Sequence, residues 1–233
     1  MPRFSKLLKE KKNFIFIGET GSGKSEIALN TAVLLREGGE RGVHLFDMDQ
    51  TKAMFRARDA EAQMRTLGVE VHYMPQLLDM PVLVNGIIPH LMRKDSACIL
   101  DVGGNENAAR MVGCLSDHLN GENTAAVYVL NPYRPWSGTV EQIRETMETV
   151  LSACHIERVY FAANPTVGAD TTEETVTQGL RRLTESIPAR ELTAVFVTEG
   201  LCLPPDEASG LERIPLRPYL RYPWLNEKER TFS

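Results

Sequence analysis

The sequence lacks the features that mark secreted, membrane-spanning and nucleic-acid-binding proteins. Its four cysteines among 233 residues are far apart, with no C-x-x-C pair of the kind found in zinc and redox sites. No apolar run approaches the roughly 20 residues of a membrane span, and the apolar segment after the basic start is too short for a signal peptide. A net charge of −5 argues against a broad nucleic-acid-binding surface. These absences predict a reduced, cytoplasmic protein that does not bind nucleic acid.

Short apolar runs alternate with longer segments of helical periodicity. Continuous apolar runs are typical of strands that are buried on both faces of a sheet, and regular alternation with helices is typical of parallel α/β proteins. The sequence therefore predicts a three-layer α/β fold, in which helices cover both faces of a mostly parallel sheet. The predicted strands are 13–17, 43–47, 69–73, 97–102, 125–130, 157–163 and 193–198, and the predicted helices are 24–37, 51–67, 81–93, 105–119, 138–154 and 172–186.

The segment GETGSGKS, residues 18–25, fits the phosphate-loop pattern G-x-x-x-x-G-K-[ST] between a predicted strand and a predicted helix. Glycines let backbone N–H groups surround phosphate oxygens, and the positive end of the following helix faces the same anion. Lys24 is expected to reach the β- and γ-phosphates, and Ser25 to bind Mg²⁺. The motif predicts the fold of P-loop NTPases and a cofactor site built from Gly18, Glu19, Thr20, Gly21, Ser22, Gly23, Lys24, Ser25 and Glu26.

Three aspartates lie at the carboxyl ends of two predicted strands. Asp101 ends one strand and precedes Gly103 and Gly104, as does a Walker B aspartate that holds the water shell of the metal. Asp47 and Asp49 end another strand, where a carboxylate can order a water molecule or act as a helix cap. The predicted metal site therefore comprises Ser25 and Asp101, with one carboxylate of the pair Asp47 and Asp49 as a further candidate.

Over about residues 13–205, the sequence resembles the MinD/ParA-type ATPases in four successive features. They are the phosphate loop, FDMDQ, ILDVGG and a strand followed by asparagine. The wider class includes nitrogenase iron protein, dethiobiotin synthetase and cobyrinate amidases. The resemblance implies ATP and Mg²⁺ as cofactors. It also implies catalytic roles for Lys24 and Asp49, a metal-side or structural role for Asp47, and base contacts from Asn164 and from Pro204 and its neighbour.

The sequence departs from this family at one position of the loop. MinD and ParA proteins carry a second lysine directly after the first loop glycine, and that lysine reaches the nucleotide of a dimer partner. Position 19 is a glutamate here, and a carboxylate would repel a phosphate. A homodimer that works through this lysine is therefore not predicted, although a homodimer of another kind stays open, and Arg56 and Arg58 are candidates for the missing positive charge.

The nucleotide base and the work done with the nucleotide are open at this stage. Neither Asn131 nor Asn164 begins the N-K-x-D pattern of guanine-specific proteins, which favours ATP over GTP. One hypothesis is an ATPase, slow or partner-activated, that regulates or loads a protein partner. A second is a ligase or kinase-type enzyme like dethiobiotin synthetase, with a pocket in the loop NPYRPWSG at 131–138. A third, weaker hypothesis is an electron-transfer ATPase with an iron–sulfur cluster held by Cys114 of two subunits.

The composition changes near residue 205. Residues 1–205 are predicted to form the nucleotide-binding domain, and residues 206–233, rich in proline, arginine and aromatic residues, to form an extended arm. Residues 211–224 of this arm either dock on a partner protein or pack on their own domain.

Overall fold

The computed structural model describes residues 1–40, 42–49, 57–74, 83–201 and 210–220. Eight strands form one sheet in the spatial order β3-β2-β4-β1-β5-β6-β7-β8, and all of their pairings are parallel. This arrangement confirms the predicted α/β sheet. The strands are β1 (Asn13–Ile17), β2 (Gly42–Asp47), β3 (Glu70–His72), β4 (Ser96–Asp101), β5 (Thr124–Leu130), β6 (Val159–Ala163), β7 (Leu192–Thr198) and β8 (Arg213–Leu216).

Eight α-helices accompany these strands within the described ranges. None of them combines the length and apolar character that a membrane crossing requires. They are α1 (Phe4–Glu10), α2 (Lys24–Glu37), α3 (Glu61–Thr66), α4 (Ile87–Leu91), α5 (Glu106–Gly113), α6 (Ser116–Leu119), α7 (Val140–Cys154) and α8 (Glu173–Ser186).

The sheet has a separate hydrophobic core on each face. Phe14 and Phe16 of β1 pack with α1, α2 and α3, whereas Ile15 and Ile17 pack on the opposite side with α4 to α8. Successive side chains of a strand point to opposite faces, so both halves of a continuous apolar run are buried. The three-layer arrangement that the sequence predicted is therefore confirmed, and its carboxyl edge carries the loops of the candidate site.

Two of the elements that differ from the sequence-based expectation have a clear structural reason. The helix predicted over 105–119 is divided into α5 and α6, and α5 ends at Gly113, where a side chain would lie 2.6 Å from the Ala153 carbonyl of α7. β8 was not predicted, because Pro215 and the surrounding prolines indicated an irregular arm. A proline is tolerated in β8 because this strand lies at the edge of the sheet and has one neighbour, β7.

Candidate nucleotide-binding site

The phosphate loop connects β1 to α2, as the motif requires. Lys24, the first residue of α2, is only 2% exposed. Its Nζ donates hydrogen bonds to the carbonyl oxygens of Gly18, at 3.0 Å, and Glu19, at 2.7 Å. Ser25 follows in the first turn of α2 and is also buried. The loop therefore curls around its own lysine, which holds a positive charge at the amino terminus of a 14-residue helix.

Asn164 contacts the phosphate loop from the end of β6, which β5 separates from β1 in the sheet. It directly follows β6, is 2% exposed, and donates a hydrogen bond from Nδ2 to the Ser22 carbonyl at 2.7 Å. Gly23 adopts a φ of 95°, and a side chain at this position would overlap the Asn164 amide. The residue predicted to read the base thus lies against the loop, and Gly23 permits both the left-handed backbone and the close contact.

Asp47 and Asp101 occupy neighbouring positions at the carboxyl edge of the sheet, where β2 and β4 end. The two residues are register partners, and both are fully buried. The Asp47 carboxylate accepts hydrogen bonds from the backbone nitrogen of Asp49, at 3.0 Å, and from Nε of Arg58, at 2.6 Å. Both of its oxygens therefore contact protein groups, and the metal-side role of Asp47 stays a prediction.

Arg58 is bound in the same place rather than available as a mobile charge. It is paired with Asp47, and its Nη2 also donates to the Asp49 carbonyl at 3.0 Å. Arg58 thus stabilises the turn after β2, and the expectation that it replaces the family lysine is not supported by this geometry. Arg56, the other candidate, lies outside the described residues.

Asp49 and the glycine pair after β4 lie next to the phosphate loop. Asp49 is 1% exposed, and a side chain at Gly103 would lie 3.1 Å from its Oδ1. A side chain at Gly104 would overlap the backbone nitrogen of Thr20 in the phosphate loop. The loop after β4 therefore lies against both the phosphate loop and the loop after β2, so a change in one of these loops would displace the others.

We expect Gly104→Ala to lower both stability and nucleotide affinity. The added Cβ meets backbone atoms of Thr20, which cannot move without displacing the phosphate loop, and such overpacking typically costs about 1–3 kcal/mol. Urea unfolding and fluorescent-nucleotide binding measure the two effects. Gly121→Ala is a suitable control, because a Cβ there meets its nearest atom at 3.8 Å. Equal behaviour of the two variants would contradict the proposed contact.

Glu19 has a role that the sequence did not indicate. Its side chain is 6% exposed, and its carboxylate accepts hydrogen bonds from the Trp136 backbone nitrogen, at 3.1 Å, and from Oγ of Ser137, at 2.7 Å. The carboxylate that was expected to repel phosphate thus forms hydrogen bonds to Trp136 and Ser137. Glu19 fastens the loop after β5, residues 131–137, to the phosphate loop.

Arg134 lies in the loop that Glu19 holds, and it is the functional candidate whose position the sequence analysis missed. Its guanidinium packs on the phosphate loop, where a side chain at Gly21 would lie 3.4 Å from its Cζ and Nε. Within the described part of the chain, the Nε is buried and has no hydrogen-bond partner. The sequence placed Arg134 only in a substrate pocket, because its distance from Gly21 along the chain hides this contact.

Two other groups in the predicted substrate pocket are engaged within the protein. Asn131 donates from Nδ2 to the Thr166 carbonyl at 2.9 Å, and the Tyr133 hydroxyl donates to the Thr175 carbonyl at 2.6 Å. Trp136 of the same loop is 61% exposed. Hydrogen bonds to the rest of the protein therefore hold this loop in place, with Arg134 against the phosphate loop and Trp136 exposed to solvent.

Glu26, which the motif placed in the cofactor site, contacts the C-terminal segment instead. Its carboxylate accepts hydrogen bonds from the backbone nitrogens of Tyr219, at 2.5 Å, and Leu220, at 3.3 Å. Asn30 of α2 exchanges two further bonds with the backbone of Arg217. Residues 213–220 of the predicted arm thus form an edge strand and pack on α2.

We expect Glu26 to make stability depend on pH. Burial, opposed by the hydrogen bonds from Tyr219 and Leu220, raises its pKa from 4.5 to about 7. The folded state then binds the proton more tightly than the unfolded chain, so this residue's contribution to the free energy of unfolding decreases as pH rises from about 4.5 to about 7, by roughly 3 kcal/mol. Urea unfolding at pH 5 and pH 7.5 should show a larger decrease for the native chain than for Glu26→Gln. Parallel pH profiles would contradict this expectation.

Several predicted residues lie outside the described ranges or away from this site. Pro204 and its neighbour, Cys202 and residues 221–233 are among those outside. Cys98 and Cys154 are buried, and burial raises the pKa of each thiol to about 12. Cys114 is exposed at the end of α5, and no group of three metal-ligating side chains among the described residues includes it.

Comparison with known proteins identifies the fold through structure rather than sequence. No protein-family model matches the chain, and no curated protein matches it by sequence. The signal recognition particle receptor FtsY from Elizabethkingia anophelis, solved with GDP, is similar with a TM-score of 0.50 and 18% identity, over 76% of this chain and 59% of that chain. The cell division protein FtsY from Thermotoga maritima gives a TM-score of 0.52 and 13% identity, over 84% of this chain and 69% of that chain.

The chain spans about three fifths of the length of the first of these receptors. At these identities the likeness concerns the fold, which agrees with the strand–loop–helix arrangement at residues 13–37 and the parallel sheet around it. The chain therefore has the three-layer α/β fold of the P-loop NTPases.

Proposed function

We propose that this protein is a Mg²⁺-dependent nucleoside-triphosphate switch, with slow or partner-activated hydrolysis of the MinD/ParA kind. The observation that carries the proposal is the convergence of Lys24, Asp49 and the Gly103–Gly104 turn on one phosphate loop. The Lys24 ammonium contacts two loop carbonyls, and phosphate oxygens would compete for the same donor. Ser25 and Asp101 would hold Mg²⁺ between the phosphates and β4.

A switch needs segments that respond to the γ-phosphate, and the contacts around the loop supply two. Gly104 touches Thr20, and Gly103 touches Asp49, so a change at the loop reaches the ends of both β4 and β2. Glu19 connects the same loop to Trp136. Tryptophan is frequent among the energetically dominant residues of protein interfaces, which supports a protein partner on this side.

Two observations bear on the identity of the nucleotide base, and they favour different bases. Valine occupies position 167, where guanine-specific proteins with N-K-x-D would place the aspartate, and this favours ATP. The FtsY from Elizabethkingia anophelis was solved with GDP, and this favours GTP. We propose ATP, because an aspartate that accepts from the guanine edge is absent from this position of the sequence.

The test is binding of ATP and GTP to the purified protein with Mg²⁺, followed by phosphate release. We expect fluorescent ATP to bind and unlabelled ATP to displace it at a lower concentration than GTP does. The reverse order would replace ATP by GTP and retain the switch. Failure of both nucleotides to bind would overturn the proposed function.

We expect Arg134 to supply the positive charge that position 19 does not. Its guanidinium lies on the loop at Gly21, where it can neutralise charge that develops on the phosphates during hydrolysis. Arg134→Ala should lower the rate of phosphate release by about 10²-fold while changing affinity less, and Arg134→Lys should retain part of the rate. The exposed Arg144 on α7 provides the matched control, Arg144→Ala. Unchanged hydrolysis in Arg134→Ala would contradict this role.

The alternative of a small-molecule ligase or kinase has less support from the structure. Its expected pocket would use Asn131 and Tyr133, which both bond to neighbouring backbone groups. Phosphate release that requires a small-molecule acceptor, and not a protein, would favour this alternative.

A further inference from the structure

Three of the five histidines meet on the face of the sheet that α4 covers, away from the phosphate loop. His44 belongs to β2, His72 to β3 and His90 to α4. One ring nitrogen from each lies within 4.8 Å of those of the other two. Three chain segments therefore bring imidazoles to one point, which ordinary core packing does not require.

We propose that His44, His72 and His90, with Glu70 as a fourth ligand, form a binding site for a transition-metal ion of the zinc type. Imidazole nitrogens and one carboxylate are ligands that zinc accepts in tetrahedral sites. The site is independent of the proposed nucleotide function, because it shares no residue with the phosphate loop.

The distances suit such an ion. Tetrahedral zinc, with nitrogens about 2.0–2.1 Å from the metal, places neighbouring ligand atoms about 3.3 Å apart. Nδ1 of His44 lies 3.1 Å from Nε2 of His72. Oε2 of Glu70 lies 3.5 Å from the former and 4.0 Å from the latter. Side-chain rotation would complete the coordination by bringing in His90, whose ring nitrogen lies within 4.8 Å of the other two.

The charges around the cluster also suit a cation. The positive charge of nearby Arg93 is paired with Asp95, at 3.1 Å. The carboxylate of Glu70 therefore contributes negative charge next to the three histidines.

His90 has an unsatisfied polar atom that the ion or its hydration shell could satisfy. Among the described residues, its buried Nδ1 has no hydrogen-bond partner, and such a group is costly in a protein interior. An ion can reach the site from solvent, because the side chains of Glu70 and His72 are 71% and 29% exposed. The ion would join β2, β3 and α4 at the edge of the sheet.

The test uses untagged full-length protein that has been treated with a chelator and then dialysed. Zn²⁺ is titrated against a chromophoric competitor in excess Mg²⁺, and Co²⁺ is added separately to record its visible absorption. We expect one equivalent of Zn²⁺ per chain and the intense bands of tetrahedral cobalt. Absence of stoichiometric binding in the native chain would overturn the proposal.

Variants at the rim of the cluster identify the ligands. We expect His72→Gln and His90→Gln each to lower zinc affinity by at least about tenfold, and Glu70→Gln by a smaller factor. His118→Gln, in the exposed part of α6, should bind like the native chain, and so should Lys24→Ala. Circular dichroism and thermal unfolding without metal establish that each variant folds. Native zinc affinity in folded His72→Gln and Glu70→Gln would exclude this site even if His90→Gln failed to fold.

Discussion

Lys24→Ala is expected to lower the affinity for Mg²⁺–nucleotide by roughly 10- to 100-fold. Lys24 is buried at the amino terminus of α2, and its ammonium donates to the carbonyls of Gly18 and Glu19. Its removal deletes a charged donor facing the phosphates, and a hydrogen bond to a charged group is worth about 1.5–3 kcal/mol. Fluorescent-nucleotide titration and calorimetry measure this loss.

The control must separate lost phosphate contacts from a collapsed loop, because Lys24 also bonds the loop backbone. Lys24→Arg keeps the charge but carries a larger planar head, and Lys94→Ala removes an exposed lysine from another part of the chain. We expect weak binding for Lys24→Arg and native binding for Lys94→Ala, with thermal unfolding reported for each. Native affinity in a folded Lys24→Ala would remove the basis of the proposed function.

Asp49→Asn is expected to keep nucleotide affinity within about threefold and to slow hydrolysis by about 10²-fold or more. The side chain is buried beside Gly103, where a carboxylate can position or deprotonate the attacking water, and such catalysis contributes about 10²–10⁴. The backbone bonds of Asp49 to Asp47 and Arg58 do not involve its side chain, so this substitution retains both of them.

Single-turnover phosphate release at saturating nucleotide measures this effect without interference from binding. Asp117→Asn, on the exposed surface of α6, is the matched control and should behave as the native chain. Equal loss of affinity and rate in Asp49→Asn would indicate a role in holding the metal or the loop. An unchanged rate would exclude Asp49 from the chemistry.

Carboxylates that look equivalent in the sequence have different surroundings in the structure. Asp47 is committed to Arg58, whereas Asp49 lies beside the Gly103–Gly104 turn that touches the phosphate loop. Glu19 and Glu26, both counted with the cofactor site, bond to the loop after β5 and to the C-terminal segment. A place in or beside the phosphate-loop motif therefore does not determine which groups the side chain of Glu19 or Glu26 contacts.

The sequence by itself determined the layered sheet and the phosphate loop. Both are local patterns: apolar runs of strand length, helical periodicity, and glycines at fixed offsets before Lys24 constrain the backbone without reference to distant residues. The predicted bounds of β1 and α2 agree with the structure for this reason.

Only the tertiary structure decided what surrounds that loop. Arg134 reaches Gly21, Asn164 reaches Ser22, and His44, His72 and His90 meet. In each case the fold brings together segments that are far apart in the chain. β8 likewise became visible only through its pairing with β7, since Pro215 and the prolines around β8 conceal the strand pattern. Such contacts depend on strand order and packing, which no local pattern encodes.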